Sequence, residues 1–243
     1  MTELMICHCP RHPDPQLSYD AALGENPANA ASKGQSNRRK RSIGYFDKFW
    51  SPGRTLRITF VNEPEAALKR AIYAAACQWL PYVNLSFELV ADDDDDSEIK
   101  IYTGGTPELN YSVYGTDALT SAGASMVLGV TPDMESFERT VIHEFGHALG
   151  AEHEHQHPDA NIPWDIPKVY EHYASKGIDK ATVDENVLAR IENSSLRKVP
   201  YDRHSIMHYP VLQALTQGDW EVGINSQISE KDKAFMRMAY PHD

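Results

Sequence analysis

Apolar and polar positions alternate over Thr55 to Val61 (TLRITFV), a run also rich in β-branched residues, and this period predicts a strand. Ala67, Leu68, Ala71, Ile72, Ala75 and Leu80 then recur at helical spacing, so Glu65 to Leu80 reads as a long amphipathic helix, with Pro64 suited to its first turn. Leu85 to Val90 and Glu98 to Thr103 read as two more strands and Ser125 to Val130 as a further short one. A helical stretch from about Ser136 to Leu149 follows, then a partly helical Pro163 to Gly177, a helix from Thr182 to Asn193, a loop to Pro210 and a last helix from Ser229 to Tyr240. Ser229 can cap that helix, although Asp232 stands where a full capping box carries Glu or Gln. Strands crowd the N-terminal half and helices the C-terminal half, which predicts an α+β fold.

Residues 1–41 break this pattern. They are rich in Pro, Asn, Ser and charge, show no apolar periodicity and end in Arg38, Arg39, Lys40 and Arg41. They read as a disordered or removable leader, the basic run being either a solvated tail or a site for a dibasic-cutting protease. Asp92 to Asp96 are five consecutive carboxylates; a solvated loop is the expectation, and calcium binding is the alternative, without EF-hand spacing.

Composition narrows the function. The 243 residues carry 23 Lys plus Arg against 35 Asp plus Glu, a formal net charge of -12, which repels a phosphate backbone, so no nucleic-acid partner is expected. No apolar run spans a bilayer, and the first residues lack the apolar core of a signal peptide, so a soluble chain with no membrane partner is expected and its localisation stays open. Three cysteines cannot build a disulfide framework: Cys7 and Cys9 are too close to pair comfortably, and Cys77 reads as a packed, inert thiol.

Histidine is the unusual count, with His143, His147, His153, His155 and His157 falling within fifteen positions of an eleven-histidine chain. In the run HEFGHALGAEH, His143 and His147 are offset by only about 40° on a helix, so both imidazoles face one site. Glu144 sits beside them, where a carboxylate reaches a metal-bound water without filling the coordination sphere. Gly150 can take the left-handed conformation that ends a helix and lets His153 approach from another direction. Three neutral imidazoles leave a fourth position for water, the pattern of a catalytic zinc. By chance these five residues at these spacings would occur in roughly one such sequence in ten thousand. His155 and His157 read as surface or cleft-rim residues rather than added ligands.

Further along stand Tyr201, Asp202, Arg203, His204, Ser205, Ile206, Met207, His208 and Tyr209. The long zinc motif followed by a methionine turn resembles the metzincin peptidases. Glu154 directly after the third histidine, with Ser205 to Tyr209, resembles the astacin branch over about Trp50 to Tyr240. The resemblance implies one zinc on His143, His147 and His153, Glu144 as base, Met207 as an apolar floor beneath the metal, and Tyr209 as a switchable ligand that stabilises the oxyanion. A packed aromatic after a turn is the alternative for Tyr209, and His208 has no ligand role in the family. The sequence departs from the family in lacking its disulfides and the Phe-x-Gly-Asp motif of its leaders. Cys7-His8-Cys9 as a zinc-blocking thiolate, or as part of a disordered tail, is left open by the sequence.

The expectation is therefore a leader over 1–41 and a metzincin-type catalytic domain over 42–243, divided near residue 150, with a twisted mixed sheet, two long helices and a smaller C-terminal part. Ser125 to Val130 resembles the edge strand on which an extended substrate adds. The expected activity is that of a monomeric zinc metalloendopeptidase acting on polypeptides; a non-catalytic peptide-binding module on the same fold, or a hydrolase of non-peptide amides with a closed pocket, are the alternatives. Cleavage after Arg41 would leave Ser42 at the offset where the family buries a new N-terminus against the Glu after the third histidine, here Glu154. Secretion is suggested only by the resemblance.

Overall fold

Strand β1 (Thr55–Phe60) buries Leu56, Ile58 and Phe60 and lies inside a five-stranded sheet. The computed structural model describes residues 7, 9–30, 48–92, 94–191 and 200–242. With β2 (Ser86–Leu89), β3 (Ile99–Thr103), β4 (Asn110–Ser112) and β5 (Met126–Leu128), the spatial order is β2-β1-β3-β5-β4. Neighbours are parallel except β4, which runs antiparallel to β5 and forms one edge. Ser125 to Val130 is therefore not the edge: its strand β5 is paired on both sides, and its three residues are buried. The edge strand is Asn-Tyr-Ser, three residues without apolar alternation, held by Asn110, whose side-chain oxygen accepts from Gly129 N–H at 2.9 Å.

The leader contains helix α1 (Pro15–Glu25), so the disordered reading of 1–41 fails over its described part. Asp14 caps it, accepting from the Gln16 and Leu17 N–H groups, and Pro15 supplies a ready helical φ. Its buried residues are Ser18 and Ala22, small enough for close approach to the 115–120 turn, which is why no apolar stripe announces it. Arg38 to Arg41 and Ser42 lie outside the described residues.

Helix α2 (Ala66–Ala76) tightens into a 3-10 segment, Cys77–Tyr82, and packs against α3 (Phe137–Ala148). Each large side chain buried here, such as Ile142 or Phe145, contributes about 1.5–3 kcal/mol. Indole and phenol groups pin α3 at both levels. Trp79 donates to the Ile142 carbonyl, Trp50 to that of Ala148 and Tyr240 to that of Leu149, at 2.8–2.9 Å. These buried donors thus find partners, and α3 is held in register over the sheet.

The C-terminal part has its own small core of Val169, Tyr173, Val183, Val187 and Leu215, built from α4 (Ile166–Ala174), α5 (Lys180–Val183) and a π-turn at Asp184–Leu188. The expected helix from Thr182 to Asn193 is shortened and begins earlier, because Asp179 accepts from Thr182 N–H and caps the chain at Lys180. In α6 (Glu230–Ala239), Asp232 completes a reciprocal capping box with Ser229, so the shorter carboxylate suffices. Among the described residues, no helix is long and apolar enough to cross a membrane. The acidic loop is met by cations: Lys69 pairs with Asp92, and Arg57 donates to the Asp96 carbonyl. Among the described residues, none from this loop joins a cluster of potential metal ligands; Asp93 lies outside them.

Candidate active site

Helix α3 delivers His143 and His147 one turn apart, and its end delivers the third histidine. Gly150 takes φ +85°; its N–H bonds to the His147 carbonyl at 2.7 Å, while Ala151 N–H bonds to that of Gly146 at 2.9 Å. These two bonds form a Schellman cap and turn the chain back across the helix end. The three Nε2 atoms then converge: His143 to His147 3.1 Å, His147 to His153 3.0 Å and His143 to His153 3.3 Å. His143 Nδ1 meets the Ile206 carbonyl at 2.8 Å and His147 Nδ1 that of Ala151 at 2.7 Å. A carbonyl only accepts, so these Nδ1 atoms carry the protons and the Nε2 lone pairs point at one another.

That arrangement is repulsive without a shared cation. Burial also disfavours imidazolium, lowering His143 to about 4 and moving His147 and His153 well below the usual histidine range. Tetrahedral nitrogen ligands about 2.0–2.1 Å from one zinc stand roughly 3.3 Å apart, so the triad fits that ion.

Glu144 is buried beside the triad, and burial pushes its carboxyl up to about 8, partly offset by a hydrogen bond from the Cys7 thiol at 3.2 Å. Tyr209 comes from the far side of the cleft. Its ring lies 4.4 Å from that of His153, and its hydroxyl donates to the Cys7 carbonyl. Met207 is buried under the zinc helix: a Cβ on Gly146 would drive into its Sδ, so only glycine admits the thioether there. The Met207 carbonyl accepts from Glu154 N–H at 3.0 Å, tying the methionine turn to the segment bearing His153.

The leader lies across this cleft. Cys7 Sγ falls within 4.8 Å of the His143, His147 and His153 ligand atoms. Cys9 accepts from the backbone of edge residue Ser112, Arg11 reaches Glu185 of the C-terminal part at 3.8 Å, and Ser18 donates to Asp117 at 2.6 Å. Asn26 and Asn29 then clasp the Phe49 and Trp50 carbonyls. A family model described as astacin, a peptidase family, matches residues 43–240.

The chain belongs to the astacin family. As an astacin it is a zinc metallopeptidase domain, with the α+β fold of its relatives. It is similar to myroilysin, 35% identical with a TM-score of 0.75 over 81% of this chain and 97% of that one. A crystal structure of myroilysin covers 97% of this chain and 100% of its own at 32% identity and a TM-score of 0.60. High choriolytic enzyme 1, a hatching enzyme zinc-protease of the medaka fish Oryzias latipes, shares the fold at 18% identity and a TM-score of 0.57, covering 79% and 94% of the two chains. Zinc metalloproteinase dpy-31 of Teladorsagia circumcincta is 27% identical over 190 residues, 74% of this chain. The chain spans only 27% of that curated relative's length.

All five sequence-selected residues of this astacin, His143, Glu144, His147, His153 and Tyr209, line one cleft. His155 corrects the surface reading: it is buried, stacked on Tyr209 with ring centres 4.2 Å apart and bonded to the Asn186 carbonyl at 2.9 Å. It supports the tyrosine, not the metal. His208 is likewise buried, between the Tyr201 hydroxyl and the Tyr209 carbonyl. Cys7 is the residue that sequence left undecided; its spacing from the triad, over a hundred positions, carries no local signal.

Proposed function

We propose that this domain cuts internal peptide bonds, with His143, His147 and His153 holding zinc, Glu144 as the base and Tyr209 as the oxyanion donor. The observation that carries the reading is the convergence of three imidazole lone pairs, one buried carboxylate and one phenol on a single cleft. Zinc, when bound, supplies Lewis acidity to the attacking water and the scissile carbonyl. Glu144 takes a proton from that water as its oxygen bonds to the carbonyl carbon, then gives the proton to the leaving nitrogen as the C–N bond breaks. The Tyr209 hydroxyl, freed from the Cys7 carbonyl, donates to the developing oxyanion.

The leader reads as a latency segment. Its path along the edge strand and across to Glu185 supports occupation of the groove that an extended polypeptide would take, and the Cys7 thiol stands close to both the base and the triad. Removal by cleavage after Arg41 would leave a Ser42 ammonium to pair with Glu154, a carboxyl that burial raises to about 8 and that accepts from Asp202 N–H at 2.7 Å. The test is mass-spectrometric cleavage profiling of an unbiased peptide library by the zinc-loaded chain starting at Ser42 and by its Glu144→Ala variant at equal zinc content. Internal cuts lost in the variant support the reading. No cuts by either chain would favour the non-catalytic binding module.

A further inference from the structure

The leader's second thiol has no part in the mechanism above. Cys9 Sγ lies 3.2 Å from Cys7 Sγ, both side chains are buried, and together with Tyr111, Tyr114 and Tyr209 they form a separate small cluster in the cleft. Their spacing in sequence argues against pairing, yet the two sulfurs already stand face to face. A disulfide at about 2.04 Å asks each sulfur to move by roughly 0.6 Å. Cys77, the third thiol, packs against the main core and is not in this cluster.

We propose that Cys7 and Cys9 form an oxidation site for hydrogen peroxide, whose product is a disulfide within the leader that withdraws Cys7 from the histidine triad. The proposal rests on the latency reading for its effect on activity, though not for its chemistry. Cys7 lines the cleft pocket with His143, Glu144 and Tyr209, so a small peroxide reaches it first. Glu144 Oε2 accepts from the Cys7 thiol at 3.2 Å on the same side of the pocket.

The Cys7 sulfur attacks one peroxide oxygen, the S–O bond forms as the O–O bond breaks, and the displaced hydroxide leaves as water with the proton that Cys7 gives up. Cys9 then attacks the Cys7 sulfenic acid; the S–S bond forms, the S–O bond breaks, and the Cys9 proton leaves with the hydroxide as a second water. Two thiols and one peroxide become one disulfide and two waters. A disulfide sulfur is a far poorer metal ligand than a thiolate, so the triad's metal loses its sulfur ligand without any cut in the chain.

The full-length zinc-loaded chain, in a Cys77→Ser background, is exposed to hydrogen peroxide, quenched with an alkylating reagent and digested with trypsin. The fragment ending at Arg11 should lose two hydrogens and take up no alkyl group, and dithiothreitol should restore both thiols. Adding Cys9→Ser should abolish the reversible loss. Cleavage of an internally quenched peptide by the oxidised, uncut chain should rise to the level of a Cys7→Ser chain. Two alkylatable thiols persisting under peroxide that oxidises glutathione would overturn the proposal while leaving latency intact. A disulfide forming in a chain that stays silent while Cys7→Ser is active would overturn its regulatory meaning. An inactive Cys7→Ser chain would instead fault the latency reading, whatever the dithiol does.

Discussion

The Cys7 thiol donates to Glu144 Oε2 across 3.2 Å, joining the leader to a carboxylate 137 positions away. With Cys7 Sγ also close to the triad nitrogens, a cation held there would take the sulfur as its fourth ligand. In the full-length chain loaded with cobalt, a thiolate-to-metal charge-transfer band in the near ultraviolet is expected, and Cys7→Ser should lose it at unchanged metal content. The same spectrum from both chains would contradict this contact.

Gly146 and Met207 are packed with no room between them. In Gly146→Ala, the new Cβ would overlap Met207 Sδ and stand 3.0 Å from its Cε. Overpacking of this kind costs about 1–3 kcal/mol. Because the same helix carries two ligands, metal content should fall with the melting temperature. Thermal unfolding and zinc analysis test this; a wild-type melting point with full zinc would show that the contact is soft.

Tyr209→Phe removes a donor and keeps a ring. Its stacking on His155 at 4.2 Å should survive, so stability should change little. Loss of one oxyanion donor lowers kcat by about 10²–10³-fold. Steady-state kinetics of the chain starting at Ser42 check the split: a fall in kcat with KM nearly unchanged is expected, and an effect confined to KM would argue for substrate packing alone.

Away from the cleft, Glu98 bonds to Arg54 at 2.9 Å and to the Arg57 backbone N–H at 2.8 Å. Burial works to raise its carboxyl, but the Arg57 hydrogen bonds and both guanidinium charges outweigh that and hold it below the usual range. With the folded pKa below the unfolded value, this group's contribution is present above the unfolded pKa and is lost as pH falls through the folded one. Glu98→Gln should cost about 1–2 kcal/mol at pH 7, both arginines being partly solvated. The gap in urea midpoint between the two chains should narrow well below the carboxylate range. An equal gap at acid and neutral pH would remove the ion pairs as its cause.

The zinc helix was legible because its ligands obey helical spacing and its exit is a glycine at φ +85°. The edge strand was not, since Asn110, Tyr111 and Ser112 carry no alternating pattern and are placed by pairing to β5 and by the Asn110 side chain. Helix α1 hid for a related reason: it buries Ser18 and Ala22, not a leucine stripe, and its signal is the cap at Asp14. His155 looked like one more polar residue past the motif because its role depends on Tyr209, which folds against it from 54 positions away. Local periodicity thus revealed the candidate ligands, while contacts across the cleft decided what surrounds them.

The most direct test compares full-length Cys7→Ser with the double variant Cys7→Ser, Glu144→Gln, both at equal zinc content, on an internally quenched peptide. The single variant should cut and the double variant should lose at least about 10²-fold in turnover, the scale of general-base catalysis. Equal cutting by both would contradict Glu144 as the base.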